Sequence, residues 1–270
     1  MTLLSIITPT LARTKYLKKN LKEIDLLSKD FKSFEWVVVI EKKDKITRKF
    51  FKQNNRKFIK KVIGNYNSAE LAFENGVENS RGKYIKFHGD DDFFDTNNIK
   101  SLNNQLFKKN YSWIIFDGAY VDENYKVTRG IITYIKHVFL KNYGFLDLSV
   151  VNYIMTPSVI IKKKIYKKLG GLGKIKRSGS DYIFWMKLNR KYKPFVILKR
   201  ISFSMISKKT ITGKFDLNKY LYLYKEMLIH NEKKILMKVL IFMSISATII
   251  YNYIQKKFIG KLKRNKRIIS

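Results

Sequence analysis

The feature that most constrains this chain is the run Gly82-Lys83-Tyr84-Ile85-Lys86-Phe87-His88-Gly89-Asp90-Asp91-Asp92, an apolar-leaning segment that ends abruptly in three consecutive carboxylates. Three adjacent acids repel one another and are not buried without a counter-charge. A strand that delivers them to its C-terminal end therefore asks for a divalent cation, a polyanion held through one, or both. Hard oxygen ligands of this kind suit Mg²⁺ or Mn²⁺, which keep several waters and bridge to substrate phosphate. Taken alone, the same run also reads as a solvated acidic turn before a helix over 96–108, capped by Asp95 or Thr96.

The surrounding pattern repeats strand and helix. Leu3 to Thr8 is a nearly continuous apolar run, as in a strand buried on both faces, and Pro9 stops it. Thr14 then caps a helix with Leu17, Leu21, Ile24 and Leu27 on one face. Trp36 to Ile40 is a second buried strand, Lys60 to Gly64 a third, Asn67 to Ser80 a helix, and Lys83 to Phe87 the strand that ends at the acids. Such alternation predicts a doubly wound, mostly parallel sheet, in which ligands sit beyond the carboxyl ends of the strands. Pro9, Glu41 and Asp90–Asp92 all fall at such ends. Further on, Trp113–Phe116, Val127–Tyr134 and Ser158–Ile161 read as strands, the second near a sheet edge. A short basic helix ends at Gly170-Gly171, and a helix over Asp181–Arg190 buries Phe184, Trp185 and Leu188. Leu217, Leu221, Tyr224 and Leu228 mark a last helix, after a change of pattern near Phe215.

Composition narrows the function. The 270 residues, 45% hydrophobic, suffice for one large α/β domain or a domain with an appendage. With no cysteine, disulfides, zinc fingers and thiol catalysis are excluded. His88, His137 and His230 are too scattered for a zinc motif. The start of the chain lacks the basic residues and long apolar core of a signal peptide, so a cytoplasmic protein is expected. Lys and Arg number 56 against 21 Asp and Glu, a net charge of +35 that points to an anionic partner: a membrane surface, a phosphorylated lipid or a nucleic acid.

These landmarks, in this order, resemble family 2 glycosyltransferases of the GT-A fold over roughly residues 3–190. Ser5-Ile6-Ile7-Thr8-Pro9-Thr10 with Arg13 resembles the family's opening strand and loop. Glu35 to Glu41 resembles its second strand, with Ile40 and Glu41 where an Asp pair is usual. Asn75 to Ile85 is similar to the helix leading into the metal strand, and Gly89-Asp90-Asp91-Asp92 occupies the DxD position. Pro157–Ile161, Gly170-Gly171 and Ser180-Asp181-Tyr182-Ile183-Phe184-Trp185 resemble the acceptor-side strand, a Gly-Gly turn and the catalytic Glu-Asp motif, with Ser180 in place of Glu. The resemblance implies a catalytic domain over 1–214, with its nucleotide-sugar half at about 1–95 and its acceptor half at about 96–214. A basic helical appendage would follow over 215–270.

It further implies an inverting transfer from a nucleotide-sugar, UDP-linked, to a saccharide or polyprenyl-diphosphate-linked acceptor in surface polysaccharide synthesis. Mn²⁺ or Mg²⁺ on Asp91, Asp90 and Asp92 would neutralise the leaving diphosphate. Asp181 would take the proton of the acceptor hydroxyl, although a carboxylate opening a helix also serves as a dipole partner. Thr8, Pro9, Thr10, Arg13, Glu41 and Asn67, with Asp90 and Asp91, would hold the nucleotide-sugar.

Val239 to Gln255 is free of charge and bracketed by basic residues. At 17 residues it is at the lower limit for a membrane span. Nucleotide-sugars are cytoplasmic and a basic tail also prefers the cytoplasm. The expectation is an interfacial helix on the inner face of the membrane, with a helix packed on the catalytic domain as the alternative. The rival functions are a basic nucleic-acid-binding protein, which lacks any reading motif, and a non-catalytic relative, suggested by Ile40 and Ser180.

Overall fold

The computed structural model describes residues 2–98, 110–128, 130–144, 147–148, 150–172 and 179–206, with scattered helical positions between 221 and 246. The expected helices over 96–108 and 217–228, the domain boundary near 215 and the charge-free tail lie wholly or largely outside the described residues.

The elements run β1 (Leu4–Thr10), α1 (Thr14–Asp30), β2 (Phe34–Glu41), α2 (Lys45–Gln53), β3 (Ile59–Gly64), α3 (Ala69–Glu78), β4 (Tyr84–Phe87) and β5 (Asp92–Phe94). Then come β6 (Trp113–Val121), β7 (Val127–Thr128), α4 (Gly130–Lys141), a short 3₁₀ turn (Thr156–Ser158), β8 (Val159–Lys162), α5 (Lys163–Lys168), α6 (Ser180–Lys191) and β9 (Phe195–Met205). One sheet orders its strands β3-β2-β1-β4-β8-β6-β9-β5, with β7 on β6. β3, β2, β1 and β4 are mutually parallel, as expected. β8 enters antiparallel to both β4 and β6, so β6 again runs in the direction of β4.

Strand periodicity sorts the core into two layers. Leu4, Ile6, Trp36, Val38 and Ile40 face Leu17, Leu21, Ile24 and Phe51, under α1 and α2. Ile7, Val37, Val39, Ile85 and Phe87 face Val77, Ile183, Phe184 and Trp185, under α3 and α6. The helix α3 lies so close that a Cβ on Gly76 would meet Ile7 Cγ2 at 2.3 Å and Val39 Cγ2 at 2.9 Å. Gly82 stands equally tight against β1, its would-be Cβ 2.6 Å from Ser5 N.

Four elements differ from the sequence reading, β5 first, a strand where an acidic turn was expected. The expected strand Val127–Tyr134 is a strand only at Val127–Thr128, and α4 takes the rest. Its β-branched Ile131, Ile132 and Thr133 favour a strand, but packing of Thr133 and Leu140 at helical spacing overrides that preference. β9, with Lys199 and Arg200 in its middle, carries no clean alternation, and its pairing to β6 makes it a strand. The segment after Glu41 forms α2 because Asp44 accepts from Thr47 N at 2.9 Å and caps it.

Candidate functional site

Parallel pairing carries the C-terminal ends of β1, β2 and β4 to one edge of the sheet, and the three acids follow β4 there. Asp90 is fully buried. The counter-charge it requires is Arg13, from the loop after β1. Arg13 Nε donates to Asp90 Oδ2 at 2.9 Å, Nη2 pairs with Asp90 Oδ1, and Nη1 donates to Asp91 Oδ2 at 2.9 Å. Burial works against the Arg13 charge, but Asp90 and Asp91 outweigh it and raise the guanidinium above its ordinary value. Burial pushes Asp90 up to about 6 in spite of Arg13. Asn20 of α1, also fully buried, donates from Nδ2 to the Asp90 carbonyl at 2.8 Å and fixes the turn from below.

The third acid parts company with the other two. Asp92 turns inward, where Oδ2 accepts from Gly89 N at 2.7 Å and the carboxylate meets Ser204 of β9 and the charge of Lys86. Lys86 is fully buried in β4, where its Nζ donates to the Pro157 carbonyl, lies 3.4 Å from His88 Nδ1 and stands 4.7 Å above the Phe94 ring. Burial pulls Lys86 down and pushes Asp92 up, and their attraction opposes both shifts. Burial and the neighbouring Lys86 also hold His88 well below its ordinary value. A neutral His88 that donates from Nε2 to Asn20 Oδ1 at 2.8 Å presents Nδ1 as an acceptor to Lys86. Of the expected ligand trio, Asp92 uses its oxygens to hold the turn shut, while Asp91, with 22% of its side chain exposed, reaches solvent.

The expected nucleotide contacts are also sorted by orientation. Thr8 is buried and its Oγ1 accepts from Trp36 Nε1 at 2.9 Å, so its side chain belongs to the sheet and not to the crevice. Pro9 is half-buried and Thr10 lies against Asp90. Ala12, at φ 53°, bends the loop that presents Arg13, and Ala12 N donates to Asp44 Oδ2 at 2.6 Å. Glu41, at the end of β2, accepts from Tyr66 N at 3.0 Å, which ties it to the loop carrying exposed Asn67. Glu41 and Asn67 thus share one side of the edge, two and three strands from the carboxylates.

Asp181 sits in the first turn of α6, after Gly179 at φ 102°. Its Oδ1 accepts from Tyr182 N at 2.8 Å and its Oδ2 from Thr156 Oγ1. Pro157, the next residue, carries the carbonyl that Lys86 holds. One residue of chain therefore joins the carboxylate turn to Asp181. The Gly170-Gly171 turn has φ of 82° and 63°, and Leu172 N donates to Glu74 Oε1 at 2.6 Å. Sequence reasoning missed Asn20, Lys86 and Thr156. Only a lysine amid apolar strand residues hinted at the buried network.

Among the described residues no three Asp, Glu or His side chains converge to hold a metal by themselves, and no helix is long and apolar enough to cross a membrane. No protein-family model matches the sequence, nor does any curated protein. Solved structures do match the fold. Over 94% of this chain and 73% of that one, at 15% identity, the TM-score is 0.65 to Staphylococcus aureus TarS residues 1–349 in complex with UDP-GlcNAc. The UDP complex of the same protein gives 0.62 over 92% and 71%, also at 15% identity. The chain has the fold of TarS. Against a further S. aureus TarS structure, of whose chain it covers 43%, the TM-score is 0.61. That likeness spans more of the chain than the resemblance over residues 3–190 did, in keeping with the expected GT-A fold.

Proposed function

We propose that this chain is a glycosyltransferase that moves a sugar, with inversion, from a UDP-sugar to a saccharide or lipid-linked saccharide acceptor of a surface polysaccharide. The observation that carries the proposal is the Arg13–Asp90–Asp91 turn at the carboxyl edge of a TarS-like sheet, a fold captured elsewhere with UDP-GlcNAc. In this reading Glu41 and the loop at Asn67 hold the nucleoside end of the donor. Arg13 offers its guanidinium, 44% exposed, to the diphosphate. Asp181, braced by Thr156, accepts the proton of the attacking hydroxyl, and attack from the face opposite the leaving group inverts the anomeric carbon.

The donor set fits Mn²⁺ or Mg²⁺ in a restricted form: half-buried Asp91, one oxygen of which is held by Arg13, would offer its other oxygen to a cation whose remaining ligands are water and substrate phosphate, with buried Asp90 behind it. Such a cation supplies neutralisation of the leaving diphosphate. Asp92 is left out of this set. Calorimetry of UDP binding with Mn²⁺ tests the reading directly. Asp91→Ala should abolish metal-dependent binding while the fold persists by circular dichroism. Unchanged affinity would remove the carboxylate turn from the mechanism.

A further inference from the structure

The apolar alternation of β6 breaks at Asp117, which is only 6% exposed and lies at an irregularity of the β6–β9 ladder. Its Oδ1 accepts from Gly118 N at 2.8 Å. Its Oδ2 meets two basic groups from two other elements: His137 Nδ1 of α4 at 3.1 Å and Arg200 Nη2 of β9 at 3.9 Å. A carboxylate only accepts, so Nδ1 carries the proton and Nε2 lies on the edge of the ring away from that contact. The His137 and Arg200 side chains are 37% and 35% exposed. Among the described residues Arg200 makes only that one long ion pair and a contact with the Phe203 ring at 5.8 Å, and its buried Nε has no partner. A guanidinium with five donors, held by a single distant oxygen, has donors left over for a ligand.

Register places this cluster on the same edge as the donor site. Ile114 lies across from Ile160, and Ile160 across from Lys86. Three residues further along both parallel strands, Asp117 stands level with Gly89, next to Asp90. Two strand spacings, about 10 Å, separate them. Ser158 Oγ donates to the Asp117 carbonyl at 3.2 Å, two residues after the Thr156 that braces Asp181. The cluster thus adjoins the acceptor side of the crevice, where the mechanism does not use it.

We propose that His137 and Arg200, set in place by Asp117, form a subsite for an anionic group of the acceptor, a carboxylate or a phosphate. The inference rests on the glycosyltransferase reading for the word acceptor, and on the geometry alone for the anion. The guanidinium fork of Arg200, with the His137 ring beside it, matches the paired oxygens of either anion.

The test uses the full chain with UDP and Mg²⁺, a diamagnetic cation that leaves nearby NMR signals sharp, at saturation, so that the diphosphate site is occupied. Inorganic phosphate, glucuronate and glucose are titrated while the side-chain ¹H–¹⁵N signals of His137, assigned by their loss in His137→Gln, are followed. Phosphate or glucuronate should shift these signals saturably, and glucose should not. The tighter of the two anions identifies the source of the charge. Arg200→Gln should weaken the effect by about 10-fold or more, with UDP affinity within about twofold of wild type. Arg200→Lys, which keeps the charge but loses the fork, should fall between and replaces Gln if that variant does not fold. Unmoved His137 signals in a protein that binds UDP would overturn the subsite alone. Shifted signals in a protein that does not bind UDP would overturn the donor reading and leave the anion site standing.

Discussion

At the scale of single residues, the site is governed by where each carboxylate finds its positive charge. Asp90 has Arg13, Asp92 has Lys86, and Asp91 shares Arg13 while remaining open to solvent. In the proposed reading, the open one meets the ligand. Asp181 has both oxygens engaged, but by one amide and one hydroxyl, neither of them charged. Asp181→Asn keeps shape and helix-end bonding yet removes basicity, so turnover should fall by about 10²–10⁴-fold with UDP affinity unchanged. Steady-state kinetics beside calorimetry would check it, and near-normal turnover would reduce Asp181 to a helix-end residue.

At the scale of elements, α1 is the keystone. It supplies Asn20 to the carboxylate turn and Glu23 to β5, where Glu23 Oε2 accepts from Phe94 N at 2.8 Å. Burial pushes Glu23 up from 4.5 to about 7, more than the amide of Phe94 and Lys19 pull it down. The folded protein therefore binds a proton that the unfolded chain releases above pH 4.5. Stability from this group is fully present below that pH and is lost as pH rises through about 7. Glu23→Gln should flatten this part of the wild-type decline, by an amount on the order of 3 kcal/mol at most. Denaturant unfolding of both proteins between pH 4 and 8 would measure the difference. Helix α3 offers a second test. Gly76→Ala would drive a methyl into Ile7 and Val39, rigid β-branched residues of the sheet. Overpacking should cost about 1–3 kcal/mol in chemical denaturation, against roughly 1 kcal/mol gained in helix propensity. An increase in stability would show that α3 can lift from the sheet. Nearly continuous apolar runs made β1, β2 and β4 legible in the sequence, and the period of 3.6 made α1 and α6 so. β9 and α4 were not, because their states are set by pairing with β6 and packing on it, and not by their own patterns.

At the scale of the whole molecule, the charge excess and the basic tail extend the proposal to an anionic membrane surface. Seven basic residues after Gln255 would each contribute about 1 kcal/mol near an anionic leaflet. Deleting residues 233–270 should release the protein from anionic vesicles in a sedimentation assay and leave UDP binding intact. Attraction of the full chain should weaken as salt shortens the Debye length from about 10 Å at 0.1 M to about 3 Å at 1 M. Unfolding of the truncated protein would instead assign the tail to the core.

By itself, the sequence determined that a parallel α/β sheet brings a carboxylate run to its ligand-bearing edge, because strand burial and charge placement are written in neighbouring residues. Only the tertiary structure decided which charge answers which acid. Arg13 reaches Asp90 across 77 positions, and Asp117 draws its two basic partners from two separate elements later in the chain. No local pattern specifies such contacts, because they arise when strands distant in sequence come into register.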